Sequence, residues 1–165
     1  MVALALLAAG CGSQAPGSAP SPRVADASRV DLCTVLTDAE LSGLGLDAHS
    51  RRPLDTPGLV GCMWHGKPFL MGLERDNETV ASYKGRRHDP AFTSFADNMV
   101  NGRAGAHLSV DPDRDDCTQL MDGGPVSLGV HVSPAFSLNG PPVDSCAYAL
   151  RIAQLIEPRL PKAGS

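Results

Sequence analysis

Five cysteines constrain the fold of this 165-residue chain more than any other feature of its sequence. They are Cys11, Cys33, Cys62, Cys117 and Cys146. Cys11 follows an apolar N-terminal segment, and the other four form an even set, which in an exported chain predicts two disulfides. Three pairings are open. We prefer Cys33–Cys146, because both residues lie near predicted helix starts, and Cys62–Cys117, because both lie in predicted strands.

Zinc binding and free thiols are the competing interpretations of the same four residues. Structural zinc sites usually take two cysteines within about two to four positions of each other. No two cysteines of this sequence are that close. The spacing therefore disfavours zinc, and we expect no metal site and no cofactor.

The first residues resemble the end of a bacterial lipoprotein signal peptide. Residues 2–9 are apolar without interruption, and Ala9 and Gly10 place small residues directly before Cys11. Ala8 stands where Leu is usual, and no Lys or Arg precedes the apolar segment, although signal peptides normally have a basic start. A start codon assigned too far downstream accounts for the missing basic residues. The alternative is a disordered apolar N-terminus with a free thiol.

The segment behind Cys11 has the composition of a linker. Residues 11–28 are rich in Ser, Ala, Pro and Gly, so they cannot bury enough apolar surface to fold. We therefore expect a signal peptide at 1–10, a lipidated Cys11 and flexible tether at 11–28, one extracytoplasmic domain at 29–161 and a disordered tail at 162–165. The lipid would hold the domain at the outer face of the cytoplasmic membrane.

Charge and composition narrow the class of partner. The net charge of −4 argues against nucleic acid, because phosphate contacts need a basic surface. Only 4% of the residues are aromatic, whereas 17 are Gly and 14 are Pro, so we expect a modest core that gains from covalent cross-links. Arg far outnumbers Lys, which is typical of a GC-rich genome and points to an actinobacterium.

Two helices are expected at the ends of the domain. The first is predicted over 31–46, with a capping box from Thr37 to Glu40, and the second over 144–157, with Asp144 as its cap. Together with the strands between them they predict an α+β fold, in which an antiparallel sheet packs with an N-terminal and a C-terminal helix and is held by two disulfides.

Strand patterns fill the sequence between these helices. Strand pairs are expected at 60–65 with 69–74, at 94–100 with 103–110 around an Asn-Gly turn, and at 116–121 with 126–133. Residues 126–133 alternate between apolar and polar side chains, which predicts one buried face. The proline-containing segment 49–58 is expected to be a loop, and 76–87 a short helix or a loop.

Three short motifs and the cysteine pattern match a known family. Residues 31–37 read DLCTVLT, residues 61–64 read GCMW and residues 102–106 read GRAGA. They resemble the DPC-x-LL-T start, the C-x-W strand and the v-x-G-x-x-A segment of an actinobacterial lipoprotein family, domain of unknown function 3558. The resemblance implies export, lipidation, two disulfides and a small α+β domain, but no known reaction. The similarity of the wider group to extracellular sensor domains implies binding of a ligand or partner.

Candidate metal ligands are few. Asp111, Asp113, Asp115 and Asp122 follow the spacing of an EF-hand loop. Pro112 and Asp116 do not suit that loop, and its last ligand is Asp instead of Glu, so an acidic solvated loop is the preferred interpretation.

The histidines show no metal-binding or catalytic spacing. They are His49, His65, His88, His107 and His131, and none forms an HxxxH or HExxH pattern. We expect His65 and His107 to be half-buried, because both lie in predicted strands.

Trp64 and two arginine pairs complete the candidates. Trp64 lies two residues from Cys62, so both side chains point to the same face of a strand. We expect a core Trp packed on a disulfide, with a pocket wall as the alternative. The pairs at 51–52 and 86–87 are expected to be solvated charges.

No catalytic residue can be assigned. The sequence contains no GxSxG, SxxK, P-loop or GxGxxG motif. We therefore expect a non-enzymatic envelope domain that binds an unknown small molecule or envelope protein. A structural or assembly lipoprotein of cell-wall or secretion machinery is one alternative, which a large exposed apolar patch would favour. An enzyme whose site joins distant residues is the other, which a cleft gathering His and carboxylates would favour.

Overall fold

The computed structural model describes residues 25–67, 69–111, 115–135 and 144–162. In these residues the helices are α1 (Asp38–Gly43), α2 (Val80–Gly85) and α3 (Ser145–Ile156). The strands are β1 (Arg52–Thr56), β2 (Leu59–His65), β3 (Phe69–Asp76), β4 (Ser94–Val100), β5 (Arg103–Ser109), β6 (Cys117–Asp122) and β7 (Ser127–Pro134). Single 3-10 turns form at Ala48–Ser50 and Glu157–Arg159. The predicted signal peptide and Cys11 lie outside the described residues.

The described strands form one antiparallel sheet of seven strands, in the order β1-β2-β3-β7-β6-β5-β4. Strands β1 to β3 form one meander and β4 to β7 a second, and the pairing of β3 with β7 joins the two. The three predicted strand pairs are confirmed as β2–β3, β4–β5 and β6–β7. Asn101 and Gly102 both have positive φ, 49° and 89°, as a tight Asn-Gly hairpin turn requires.

One side of the sheet, which we call the α3 face, holds the main core. Alternation along the strands places Cys62, Trp64, Leu73 and Val130 on this side, where α3 and the N-terminal segment cover them. Ile152 of α3 is fully buried against them. Asp144 caps α3, because its Oδ1 accepts the Ala147 N–H at 2.9 Å, so the predicted C-terminal helix and its cap are confirmed.

The opposite side, which we call the α2 face, has a smaller core. Val80 of α2 packs with Leu108 of β5 and Leu120 of β6, and Tyr83 and Phe92 lie against this cluster. Since α2 has only six residues and contacts β5 and β6, it covers one part of the face. The part over β3 and β7 forms the site described below.

The predicted N-terminal helix over 31–46 is only partly confirmed. Helix α1 is confined to Asp38–Gly43, and its capping box is confirmed, since Thr37 N–H donates to Glu40 at 2.9 Å. A residue that caps a helix in this way has an extended backbone, so the helix cannot continue through Thr37 toward residue 31. Residues 31–36 form turns instead, and bury Leu32 and Leu36 against the sheet.

The prediction of a loop over 49–58 is wrong for half of its length. Residues Arg52–Thr56 form β1, with Pro53 opposite Cys62 of β2. Strand β1 is an edge strand, where a proline can be accommodated because its missing N–H faces away from the sheet. Pro53 therefore marks an edge strand, whereas Pro57 lies in the turn between β1 and β2.

Two disulfides are present, but our preferred pairing is wrong. The bonds are Cys33–Cys62 and Cys117–Cys146, each with a Cα–Cα distance of 5.1 Å. The strand order excludes Cys62–Cys117, because β3 and β7 separate β2 from β6 by about 14 Å in all, and a disulfide spans at most about 7 Å between Cα atoms. Both bonds form on the α3 face. Cys33 of the N-terminal segment bonds the cysteine of β2, and Cys146 of α3 bonds the cysteine of β6.

Arg103 connects the end of the sheet to the C-terminal segment. Its Nε donates to Glu157 Oε1 at 3.1 Å, and the two side chains are only 8% and 7% exposed. Its remaining nitrogens donate to the carbonyl oxygens of Asp122 and Pro161, each at 2.8 Å. A single buried guanidinium thus holds β5, β6 and the chain that follows α3 in one arrangement.

Candidate functional site

A cavity of about 460 Å³ lies on the α2 face. Its floor is formed by β3, β7 and β6, and its wall by α2 and the segment that follows α2. The volume lies in the range typical of small-molecule sites, about 300–1,000 Å³. The described residues contain a second cavity of similar size, so the choice between them depends on chemistry.

The register of the sheet sets the polar floor of this cavity. Glu74 of β3 lies opposite Gly129 of β7, which in turn lies opposite Leu120 of β6. In the next row, His131 of β7 lies between β3 and Thr118 of β6. Gly129 has no side chain, and a Cβ built there would lie 3.8 Å from the Glu74 Cβ and 3.3 Å from the Thr118 Cγ2. The glycine therefore leaves a depression between the acid and the strand that carries Thr118.

The Glu74 carboxyl is the most perturbed acid of the cavity. Its side chain is half-buried, and none of the described residues donates a hydrogen bond to it. Burial raises its pKa above the ordinary 4.5, His131 opposes that shift, and the negative charge of Asp76 adds to it. The carboxylate is thus an acceptor that the described part of the chain leaves unused.

His131 and Thr118 form a hydrogen-bonded pair beside this acid. The distance between His131 Nδ1 and Thr118 Oγ1 is 3.0 Å. Either group can be the donor, depending on the tautomer of the ring. In both cases Nε2 remains available to a ligand, because no described residue bonds it.

The wall of the cavity is aromatic and carries one arginine. Tyr83 of α2 donates its hydroxyl to Asp76 Oδ2 at 2.5 Å, and burial together with this hydrogen bond raises the pKa of the phenol. The Arg86 guanidinium lies 4.7 Å from the Tyr83 ring centre and 5.2 Å from that of Phe92. Arg86 also pairs with Glu78 and lies 3.9 Å from Asp89. Arg86 thus keeps an exposed side chain, at 39%, as expected of a solvated charge, but it also contacts the aromatic wall and these two acids.

Two further polar atoms at the cavity are buried without a partner. They are Ser127 Oγ of β7, in a residue with no exposed surface, and Arg86 Nε. Buried polar groups without a partner are uncommon in native proteins, and one at a cavity wall suggests a partner that binds there. Together with Glu74, these atoms offer one strong acceptor, one hydroxyl and one N–H donor.

The second cavity, of about 430 Å³, lies where the N-terminal segment meets β1 and β2. Its lining carries Arg29, Asp31, Asp55 and Arg75, which balance in charge, and the half-exposed Cys33 of a disulfide. None of the unpartnered buried side-chain atoms in the described residues belongs to this lining. We therefore take the α2-face cavity as the candidate site.

The histidines do not gather into one site. His49, His65 and His88 are exposed, so the expectation of a half-buried His65 is wrong, whereas a half-buried His107 is confirmed. The register places His107 opposite Gln119 on the α3 face, while His131 is on the α2 face. His131 alone of the five reaches the cavity.

The EF-hand-like aspartates that the structure describes form no metal-ligand group either. Asp115 and Asp122 lie at opposite ends of β6, and Asp122 Oδ1 accepts the Gly124 N–H at 3.0 Å within the β6–β7 turn. Asp113 lies outside the described residues. In the described part of the chain no three His, Cys, Asp or Glu residues are grouped as metal ligands.

Trp64 lies in the main core, and Arg51 lies at the surface beside it. Trp64 is 1% exposed on the α3 face together with Cys62, as expected of a core Trp. The Arg51 guanidinium lies 6.0 Å from its ring centre and pairs with Asp38 at 3.1 Å. Trp64 therefore does not line the candidate site.

Glu74 and Tyr83 were not among the candidates predicted from the sequence, and Arg86 was expected only as a solvated charge. A usable signal existed in β3, where Phe69, Met71 and Leu73 alternate with Leu70, Gly72 and Glu74. One face of that strand is uniformly large and apolar, and the other combines a glycine with an acid. Such a face suggests a cavity floor. Tyr83 and Arg86 had no comparable signal, because their role depends on where α2 packs.

The raised pKa of Glu74 makes a prediction about stability. Because the folded protein holds this proton more tightly than the unfolded chain, the contribution of Glu74 to stability is greatest below pH 4.5 and declines as pH rises through the folded pKa. Glu74→Gln removes the buried charge, so we expect it to raise the free energy of unfolding at pH 7.5 by about 0.5–1 kcal/mol. The gain should vanish near pH 4, where the native side chain is protonated.

Denaturant melts of the two proteins at both pH values measure this effect. Asp55→Asn, an exposed acid-to-amide change at the second cavity, is the matched control and should stay within about 0.5 kcal/mol of the native chain. A Glu74→Gln chain less stable than the native chain at pH 7.5 would contradict the assignment of a buried, unpartnered carboxylate.

Comparison with known proteins gives a family but no function. The family described as "Protein of unknown function (DUF3558)" matches residues 6–159, so the chain belongs to it. No curated protein and no solved structure matches the chain. In the described residues, none of the helices has the length and apolar composition needed to cross a membrane.

Proposed function

We propose that this chain is an exported, lipid-anchored envelope protein whose domain binds a small organic molecule in the α2-face cavity. The anchor rests on the small residues before Cys11 and on the linker-like composition behind it. Two disulfides fit an oxidising compartment outside the cytoplasm. The mass of the mature chain tests the anchor, because lipidation adds acyl mass that Cys11→Ala lacks.

One observation carries the binding role. A cavity of about 460 Å³ contains a half-buried carboxyl, Glu74, and a fully buried hydroxyl, Ser127 Oγ, that the described residues leave without hydrogen-bond partners. Leaving a buried group such as Ser127 Oγ unpaired costs about 1–3 kcal/mol, which a ligand that pairs with it recovers. Apolar walls with a few convergent polar groups are the usual construction of a small-molecule site.

Ligand screening by NMR on the full chain in detergent tests this role. We expect hits from a library of small organic molecules to shift the amide signals of Gly129 and Thr118, and to leave that of Gly61 at the second cavity unchanged. A library in which every hit shifts Gly61 and none shifts Gly129 would overturn the assignment of the site.

An enzyme remains the second candidate, and a specific observation favours it. The cavity brings His131 and two acids of β3 together, and the pKa of Glu74 is raised, as in many catalytic sites. A Thr118–His131–Glu74 relay would need His131 to bond the acid, and no such bond forms among the described residues. Binding is therefore the better-supported role. If the protein turns over a molecule found by NMR screening, and Glu74→Gln abolishes that turnover, catalysis becomes the better-supported role.

The assembly role has less support in the described residues. The large apolar side chains that are exposed in the described residues belong to different elements. They are Met99 of β4, Val110 beyond β5 and Leu155 of α3. Scattered apolar residues are normal on a soluble surface and do not form the patch that assembly would need.

A further inference from the structure

The charges in the α2-face cavity and directly around it are predominantly negative. Glu74 and Asp76 project from β3, and Glu78 and Asp89 flank α2 and the segment after it. Arg86 is the permanent positive charge in the lining, and Glu78 and Asp89 already pair with it. An anionic ligand would have to displace these carboxylates from Arg86, so the electrostatics of the cavity oppose an anion.

The two acids of β3 differ in the number of hydrogen bonds that they already accept. Asp76 accepts the Tyr83 hydroxyl through Oδ2 and the Glu78 N–H through Oδ1, at 2.5 and 2.9 Å. The Glu74 carboxylate receives no hydrogen bond from the described residues. A ligand donor therefore finds its free acceptor at Glu74, whose carboxyl group lies over Gly72 and beside the depression that Gly129 leaves.

The wall shows that this environment accepts a cation. The Arg86 guanidinium is held on the faces of Tyr83 and Phe92, as cations are by aromatic rings. Tyr83 stays a neutral phenol, since burial and the bond to Asp76 raise its pKa. Leu108 and Leu120 add apolar side chains beside this wall. A ligand that fits these features joins a charged nitrogen to an apolar body.

We propose that the ligand of the α2-face cavity is an organic amine, with its ammonium group against the Glu74 carboxylate and its apolar body against Leu108, Leu120 and Phe92. This inference rests on the proposed function, that the cavity binds a small molecule. A bare metal ion fits less well, because no group of three His, Cys, Asp or Glu residues in the described chain is placed to hold one.

Three probes of nearly equal shape test the ligand class. They are phenethylammonium, the neutral phenethyl alcohol and the anionic 3-phenylpropanoate, titrated at pH 7.5 against the full chain in detergent while the Gly129 and Thr118 amides are followed by NMR. We expect the amine to bind at least about 10-fold more tightly than the alcohol, and the anion to bind most weakly, because only the amine forms a hydrogen-bonded ion pair with the Glu74 carboxylate.

Two variants separate this inference from the proposed function. Glu74→Gln should reduce the preference for the amine over the alcohol to less than about 3-fold, whereas Asp55→Asn at the second cavity should leave it unchanged. An alcohol or anion that binds the cavity as tightly as the amine would overturn the ligand class and leave the binding role standing. If none of the three probes shifts the Gly129 amide, the amine inference is wrong, and the wider library alone then decides the binding role.

Discussion

Replacing Cys117 and Cys146 together with serine should lower the free energy of unfolding by about 2–4 kcal/mol. The bond closes a chain segment of 29 residues, for which the chain-entropy model gives about 3.6 kcal/mol at 25 °C as an upper value. The Cys33–Cys62 bond closes a segment of the same length. We therefore expect Cys33→Ser with Cys62→Ser to have a similar effect in chemical denaturation.

A third double variant distinguishes the observed pairing from the crossed one. Cys62→Ser with Cys117→Ser also removes two cysteines, but it takes one from each bond and so breaks both. Its loss of stability should approach the sum of the other two. Were the cysteines paired as Cys33–Cys146 and Cys62–Cys117, this variant would lose one bond only and would be more stable than either of the other double variants.

The cysteines show where sequence reasoning succeeds and where it stops. Their even number predicts two bonds because parity is a property of composition. Their pairing depends on the order of strands in the sheet, and Cys62 and Cys117 are kept apart by β3 and β7. Hairpin patterns predict that consecutive strands such as β2 and β3 pair with each other. They do not predict which strand of one meander pairs with which strand of the other. The pairing of β3 with β7 was therefore not predictable.

Local patterns gave reliable local structure. The alternation predicted for residues 126–133 placed Leu128, Val130 and Val132 in the core, as observed in β7. The polar residues of the same alternation, Ser127 and His131, became part of the cavity floor. The sequence thus predicted a polar face but could not predict that it would be enclosed, because α2 and Glu74 come from far earlier in the chain.

Errors in the N-terminal part have a common physical origin. The helix predicted over 31–46 was shortened because residues 31–36 bury Leu32 and Leu36 against the sheet. Strand β1 was missed because Pro53 is unfavourable in a central strand but acceptable at an edge. In both places the deciding interaction is with β2 or the core, and local propensity gives way to tertiary packing.

Arg103→Met should lower the free energy of unfolding by about 3–5 kcal/mol, because the substitution leaves the Glu157 carboxylate buried without its partner. It also removes the donors that hold the Asp122 and Pro161 carbonyl oxygens at 2.8 Å. The methionine is close in length to the aliphatic part of arginine, so lost packing contributes little. Urea unfolding followed by circular dichroism measures the change.

Arg51→Met is the matched control for this loss. Arg51 pairs with Asp38 at a similar distance, 3.1 Å, but the side chains are 36% and 71% exposed, so we expect less than about 1 kcal/mol. Adding Glu157→Leu to Arg103→Met removes the stranded charge and should restore a large part of the stability, since a buried ion pair contributes little net stabilisation over apolar residues of similar volume. If the double variant is no more stable than Arg103→Met, the carbonyl hydrogen bonds, not the ion pair, are what Arg103 contributes.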